Sequence, residues 1–152
     1  MTTTIRGVGV KPHRALNVTL WVAQSLLAAA FLMAGFMKLL TPYDDLAQKL
    51  EFVRDVPRWL PRFIGLCEVA GAVGLILPAL TRIKPLLTAA AAASLASLMA
   101  LACAFHLMRG EIDHLAPPII LGLLAAFVAW GRFSALPIAG RVIPLPGRAT
   151  PR

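Results

Sequence analysis

The fold this sequence predicts is all-α: a four-transmembrane-helix bundle with a short amphipathic helix between the first and second spans. Three observations predict it. Four apolar runs, at residues 18–40, 62–80, 85–108 and 115–132, come near or exceed the roughly 20 residues that cross a bilayer. Hydrophobic residues make up 59% of the 152 and charged residues 14%, against about 45–50% and 25% in soluble domains. The basic residues flank the runs and form no long cluster with interleaved aromatics. The net charge of +8 therefore reads as membrane-side charge, with the lipid bilayer as partner and no nucleic acid.

The organisation follows. Residues 1–16 form a basic cytoplasmic tail, 17–132 the membrane domain, and 133–152 a tail rich in Pro and Arg. In the first span Asn17, Gln24, Phe31 and Lys38 recur every seventh residue and share one face. A polar stripe on a membrane helix should face protein. A cleaved signal peptide is the rival reading, since basic residues precede an apolar run containing Ala28-Ala29-Ala30. The run continues well past that point, which argues against cleavage.

Thr41 to Pro61 is the longest connection. Thr41-Pro42 resembles a helix start, with Asp44 and Asp45 in the first turn. Leu46, Leu50 and Val53 then recur at helical spacing between charged residues. Such a helix either lies on the membrane surface or packs over the mouth of the bundle. Pro57 and Pro61 stop it, and Trp59 suits the interface. In the second span Cys67, Gly71, Gly74 and Pro78 form a small-residue seam for close packing. Ala92, Ala96, Ala100, Cys103 and His106 make a similar arc on the third. The fourth span is short, and its apolar thickness continues toward Phe133 and Leu136. Trp130 and Arg132 mark its interface.

Four spans place both termini on one side. Nine of the 15 basic residues fall on that side and six on the other, so both termini are expected in the cytoplasm.

The residue around which the chain is arranged is Glu68, a carboxylate inside the second span. An ionisable group there costs about 2.5–3.5 kcal/mol on insertion scales. Lys38 and His106 lie at comparable depth in the outer half. One reading is a Lys38–Glu68–His106 cluster lining an outward-opening cavity, where a close Lys–Glu pair gains about 4 kcal/mol at an effective dielectric near 20. The other is an internal tie that fixes helix register. Lys38 also reads as a helix-end lysine that snorkels to the interface. Cys67 and Cys103 share a depth, which permits a thiol pair without requiring one; two small side chains at helix contacts is the plainer reading. His106, Glu111, Asp113 and His114 match no strong metal-ligand spacing, so no metal is expected. No nucleophile elbow, P-loop, dinucleotide-binding glycine pattern or bis-histidine haem spacing is present.

The chain resembles the DoxX-like family of small four-helix membrane proteins. The resemblance rests on AGFMKL in the first span and on the run from Pro57 to Pro78, with Ile64-Gly65-Leu66, Glu68-Val69 and Gly74-Leu75-Ile76-Leu77-Pro78. It rests further on the segment Leu95 to Glu111 ending in FHLMRGE, and on AWGR closing the last span. It covers about Ala15 to Arg132. It implies a four-helix bundle with Lys38, Glu68 and His106 as recurrent polar positions. The family takes its name from a subunit linked to thiosulfate oxidation coupled to quinone, but its members' functions are not uniform and fold analogy does not settle one. The function that follows is an accessory or small-ligand-binding subunit of a membrane redox system, in a bacterial-type plasma membrane. A quinone-like molecule would meet Glu68 and His106 with its polar end, Lys38 would balance Glu68, and Gln24 would extend the polar stripe. No activity of its own is assigned. The alternative is an assembly protein that holds partner helices on its Gly/Ala seams.

Overall fold

The computed structural model describes residues 12–140, with side chains from Arg14 onward. Most of the two expected tails, and with them several basic residues in the topology count, lies outside the described residues. The elements are α1 (Pro12–Leu40), α2 (Tyr43–Lys49), a 3-10 turn (Glu51–Arg54), α3 (Trp59–Thr81), α4 (Leu86–Met108), a 3-10 turn (Ile112–His114) and α5 (Ala116–Trp130). A π-helical turn (Gly131–Ala135) extends α5. Among the described residues, four helical segments are long and apolar enough to cross a membrane: Arg14–Leu40, Trp59–Thr81, Leu86–Met108 and Ile112–Ala135.

The boundaries differ from expectation at two helix starts. α1 is already helical at Pro12, ahead of the expected start at Val18. α3 begins at Trp59 and carries Pro61 in its first turn, where a residue needs no N–H partner, so Pro61 opens the second span instead of stopping the preceding helix.

α1 packs along α3, α3 along α4, α4 along α5, and α5 returns to α1. The shared interior is small and apolar: Leu27, Phe31, Ala72, Leu75, Ala92, Leu95 and Val128. The outward side chains are apolar too, among them Val22, Met33, Leu66, Leu80, Leu101 and Leu123. Helices that are apolar around their whole circumference suit an element with protein on one side and lipid on the other. One end of the bundle carries the α1–α3 connection and the α4–α5 turn; it is called here the capped end. The other carries the start of α1, the α3–α4 turn and the end of α5, and is the terminal end.

α2 closes the capped end. Leu46 and Val53 are fully buried among Met37, Tyr43, Leu50 and Phe52, and Phe52 meets Phe105 of α4 edge-on at 6.2 Å between centroids. The Tyr43 hydroxyl donates to the Val53 carbonyl at 2.9 Å. Of the two readings of this helix, packing over the bundle mouth is the one observed: its apolar stripe faces protein.

Candidate functional site

The site starts from two glycines. A Cβ on Gly35 would lie 2.8 Å from the Gly65 carbonyl oxygen, and one on Gly65 would lie 2.9 Å from the Gly35 oxygen. Only hydrogen at both positions lets the backbones of α1 and α3 approach this closely. Lys38 stands one turn beyond Gly35, and Glu68 one turn beyond Gly65. Helix side chains tilt toward their own N-terminus, so Lys38 leans back into the bundle and not out toward water. Its Nζ donates to both carboxylate oxygens of Glu68, at 2.9 and 2.8 Å. Both side chains are buried, 10% and 4% exposed. The snorkelling expectation for Lys38 is thereby corrected: the close crossing supplies a buried partner before the side chain could reach the surface.

Arg62 completes the joint; apart from its place six residues before Glu68, nothing in the residue pattern marked it. Its guanidinium donates to the carbonyls of Lys38 and Thr41, the latter at 2.7 Å. These are end-of-helix acceptors without an intrahelical donor, so a cation from α3 caps α1.

His106 is not part of this cluster. The expected Lys–Glu–His triad resolves into two pairs, because Glu111 follows α4 closely enough to reach back. His106 Nδ1 lies 2.7 Å from Glu111 Oε2, and the ring stacks on His114 at 5.8 Å and 15°. Arg109 binds both Glu111 and Asp55, which ties the α4–α5 turn to the connection before α3. The hydrogen bond from His106, then that from Arg109, holds the Glu111 carboxyl below the usual carboxylate range.

A depressed folded-state value fixes the sign of the pH effect. The tie contributes fully above the ordinary carboxyl pKa of 4.5 and is lost as pH falls through the lowered value. Hydrogen exchange of the 109–115 turn in nanodiscs, corrected for intrinsic rates, should therefore keep its protection down to about pH 4.5 and lose it below. Loss already at pH 6 would assign the protection to another group.

Among the described residues no three His, Cys, Asp or Glu side chains are grouped to hold a metal ion. Cys67 and Cys103 are free thiols, each partly buried. The small-residue seam faces inward: a Cβ on Gly71 would meet Leu95 at 2.6 Å, and one on Gly74 would meet Ala91 at 2.8 Å. These glycines join α3 to α4.

A family model described as the DoxX-like family matches residues 22–128. The chain belongs to the DoxX-like family. It is a multi-pass membrane protein. No curated protein and no solved structure matches it. The matched range of this DoxX-like protein contains Gln24, Lys38, Glu68, His106 and Glu111. It leaves out Asn17 and Arg132, which join Gln24 in a second polar network at the terminal end.

There Gln24 is fully buried and donates from Nε2 to the Leu75 carbonyl at 2.9 Å. It accepts from Arg132 Nε at 2.6 Å, and Arg132 Nη1 donates to Asn17 Oδ1 at 2.9 Å. The stripe of α1 does face protein, as its spacing predicts, but its two halves serve different ends: Lys38 meets α3, while Asn17 and Gln24 meet the end of α5. Arg132 is 4% exposed, which corrects its reading as an interface marker. The pattern that finds it is helical periodicity. Arg132 follows Ala125, Val128 and Ala129 on the buried face of α5, and Gly131 lets that turn press against Leu20.

Proposed function

We propose that this DoxX-like protein is an accessory subunit of a membrane redox system and holds a small amphipathic, quinone-like molecule at its capped end. The observation that carries this is the His106–Glu111 dyad. Glu111 takes Nδ1, which leaves Nε2 of a ring still 20% exposed. An imidazole so oriented accepts a hydrogen bond from a quinol hydroxyl at Nε2 when neutral and donates one to a quinone carbonyl when protonated. Arg109 keeps Glu111 ionised and in place. Glu68 takes a lesser part than its depth alone implied, because both of its oxygens are engaged by Lys38. It holds α1 on α3 beneath the site. The assembly-protein reading needs a small-residue seam open to a partner, and Gly71 and Gly74 lie against α4.

The test is binding of a short-chain benzoquinone to the full chain in nanodiscs, followed by quenching of tryptophan emission. His106→Ala is expected to weaken binding about tenfold, the loss of one hydrogen bond to a charged or strongly polar group. Glu111→Gln should weaken it less, since the amide still accepts from Nδ1. Wild-type protein that does not bind, or a His106→Ala protein that binds as well, ends the proposal.

The same proposal places the protein in a bacterial-type plasma membrane with both termini in the cytoplasm, on the nine-to-six division of basic residues between the two sides. A cysteine reporter in the 137–152 tail is expected to resist impermeant maleimide in intact cells and to react after permeabilisation. Labelling from outside would reverse the orientation.

A further inference from the structure

We propose that the terminal end of the bundle binds a phosphate-type oxyanion in the cavity lined by Arg132 and Arg82. Arg132 carries a full charge at 4% exposure. Its partners are two amide oxygens, those of Gln24 and Asn17, and its guanidinium lies 5.5 Å from the centre of the Trp21 ring. Neither amide nor ring neutralises it. Its Nη2 is buried with no hydrogen-bond partner among the described residues. Buried charges are ordinarily paired, and this one lacks a counter-ion among the described residues.

All seven Asp and Glu of the chain are accounted for elsewhere. Six lie at the capped end, and Glu68 is taken by Lys38. No ion pair among the described residues includes Arg132 or Arg82. Beside Arg132 opens a cavity of about 320 Å³, bordered by Asn17, Trp21, Arg82, Arg132 and Pro137, with room for about ten waters. A planar guanidinium presents its N–H groups in a fork that suits phosphate oxygens. The cavity lies where α1 begins and α3 and α5 end, the depth at which phospholipid phosphates and dissolved ions both reach a membrane protein. The shared chemistry is a tetrahedral oxyanion, from a phospholipid headgroup or from inorganic phosphate.

The experiment uses the full chain. Lipid retention is read by native mass spectrometry after release from nanodiscs of phosphatidylcholine with and without phosphatidylglycerol. Thermal stability in detergent is read against inorganic phosphate at constant ionic strength. Arg82→Gln removes a cation from the cavity wall and none of the described side-chain hydrogen bonds, so it should fold; Lys84→Gln removes a neighbouring charge that does not line the cavity. Selective retention of phosphatidylglycerol, weakened about tenfold in Arg82→Gln and unchanged in Lys84→Gln, establishes a headgroup site. Stabilisation by phosphate without lipid retention, with the same pattern across the variants, establishes a free-oxyanion site. Absence of both effects overturns the proposal. So does equal weakening in Arg82→Gln and Lys84→Gln, which would reduce the effect to diffuse surface charge.

Discussion

Glu68→Leu is expected to lower the stability of the protein in detergent micelles by about 3–5 kcal/mol, and Lys38→Met by a similar amount, because each leaves one buried charge unpaired. The double variant Lys38→Met/Glu68→Leu should be far milder, within about 1–2 kcal/mol of the wild type or above it. The asymmetry follows from burial. With side chains 10% and 4% exposed, neither partner has water to fall back on once the other is gone. Removing both abolishes the desolvation penalty together with the attraction. The measurement is denaturant titration of the four proteins, read as a double-mutant cycle. A Glu68→Leu protein no less stable than the double variant would mean that Lys38 escapes to the surface when unpaired, and that the pair holds nothing. The cycle also bears on function: if the double variant folds and still binds a quinone probe, Glu68 acts as a tie and His106 carries the contact.

How much of this was legible in the residues depends on the range of the interaction. Span number, span length and the helix over the mouth were readable, because hydropathy and helical periodicity are properties of consecutive residues. The Lys38–Glu68 pair was readable as one of two options, since two opposite charges at one depth in hydrocarbon have reason to meet. Which option wins was not, because it depends on the distance between backbones at Gly35 and Gly65, and those glycines are 30 positions apart. His106 was misassigned for a related reason. Matching depth placed it near Glu68, while the turn after α4 offered Glu111 only five residues away. A local partner outcompetes a distant one at little loss of chain entropy. Arg132 was misread because Trp-Gly-Arg at a span end looks like an interface belt; the seven-residue spacing back to Ala125 pointed inward and was the better guide.

The glycine crossing supplies the second large effect. Gly65→Ala places a methyl group 2.9 Å from the Gly35 carbonyl oxygen and 2.9 Å from the Lys38 Cβ. Neither neighbour is the free end of a side chain, so the helices themselves must separate. Alanine favours a helix over glycine by about 0.8–1.0 kcal/mol. Overpacking against a rigid wall costs about 1–3 kcal/mol, and the loosened Lys38–Glu68 pair adds to that side. The net expectation is a destabilisation of about 1–3 kcal/mol, with Gly65→Leu abolishing the fold. Gly122→Ala is the milder comparison, because its Cβ would meet Met99 alone, 3.1 Å from that residue's Cβ, so α4 and α5 need to part by only a few tenths of an ångström. It should stay within about 1 kcal/mol of wild type, helped by the same gain in helix propensity. Two readouts separate packing from electrostatics: overall stability, and the Lys38–Glu68 coupling energy measured again in the Gly65→Ala background. Coupling should shrink there, since the two side chains owe their bidentate contact to the crossing. Gly65→Ala that is as harmless as Gly122→Ala, with coupling intact, would show that α1 and α3 meet for some other reason and that the glycines do not set the position of the ion pair.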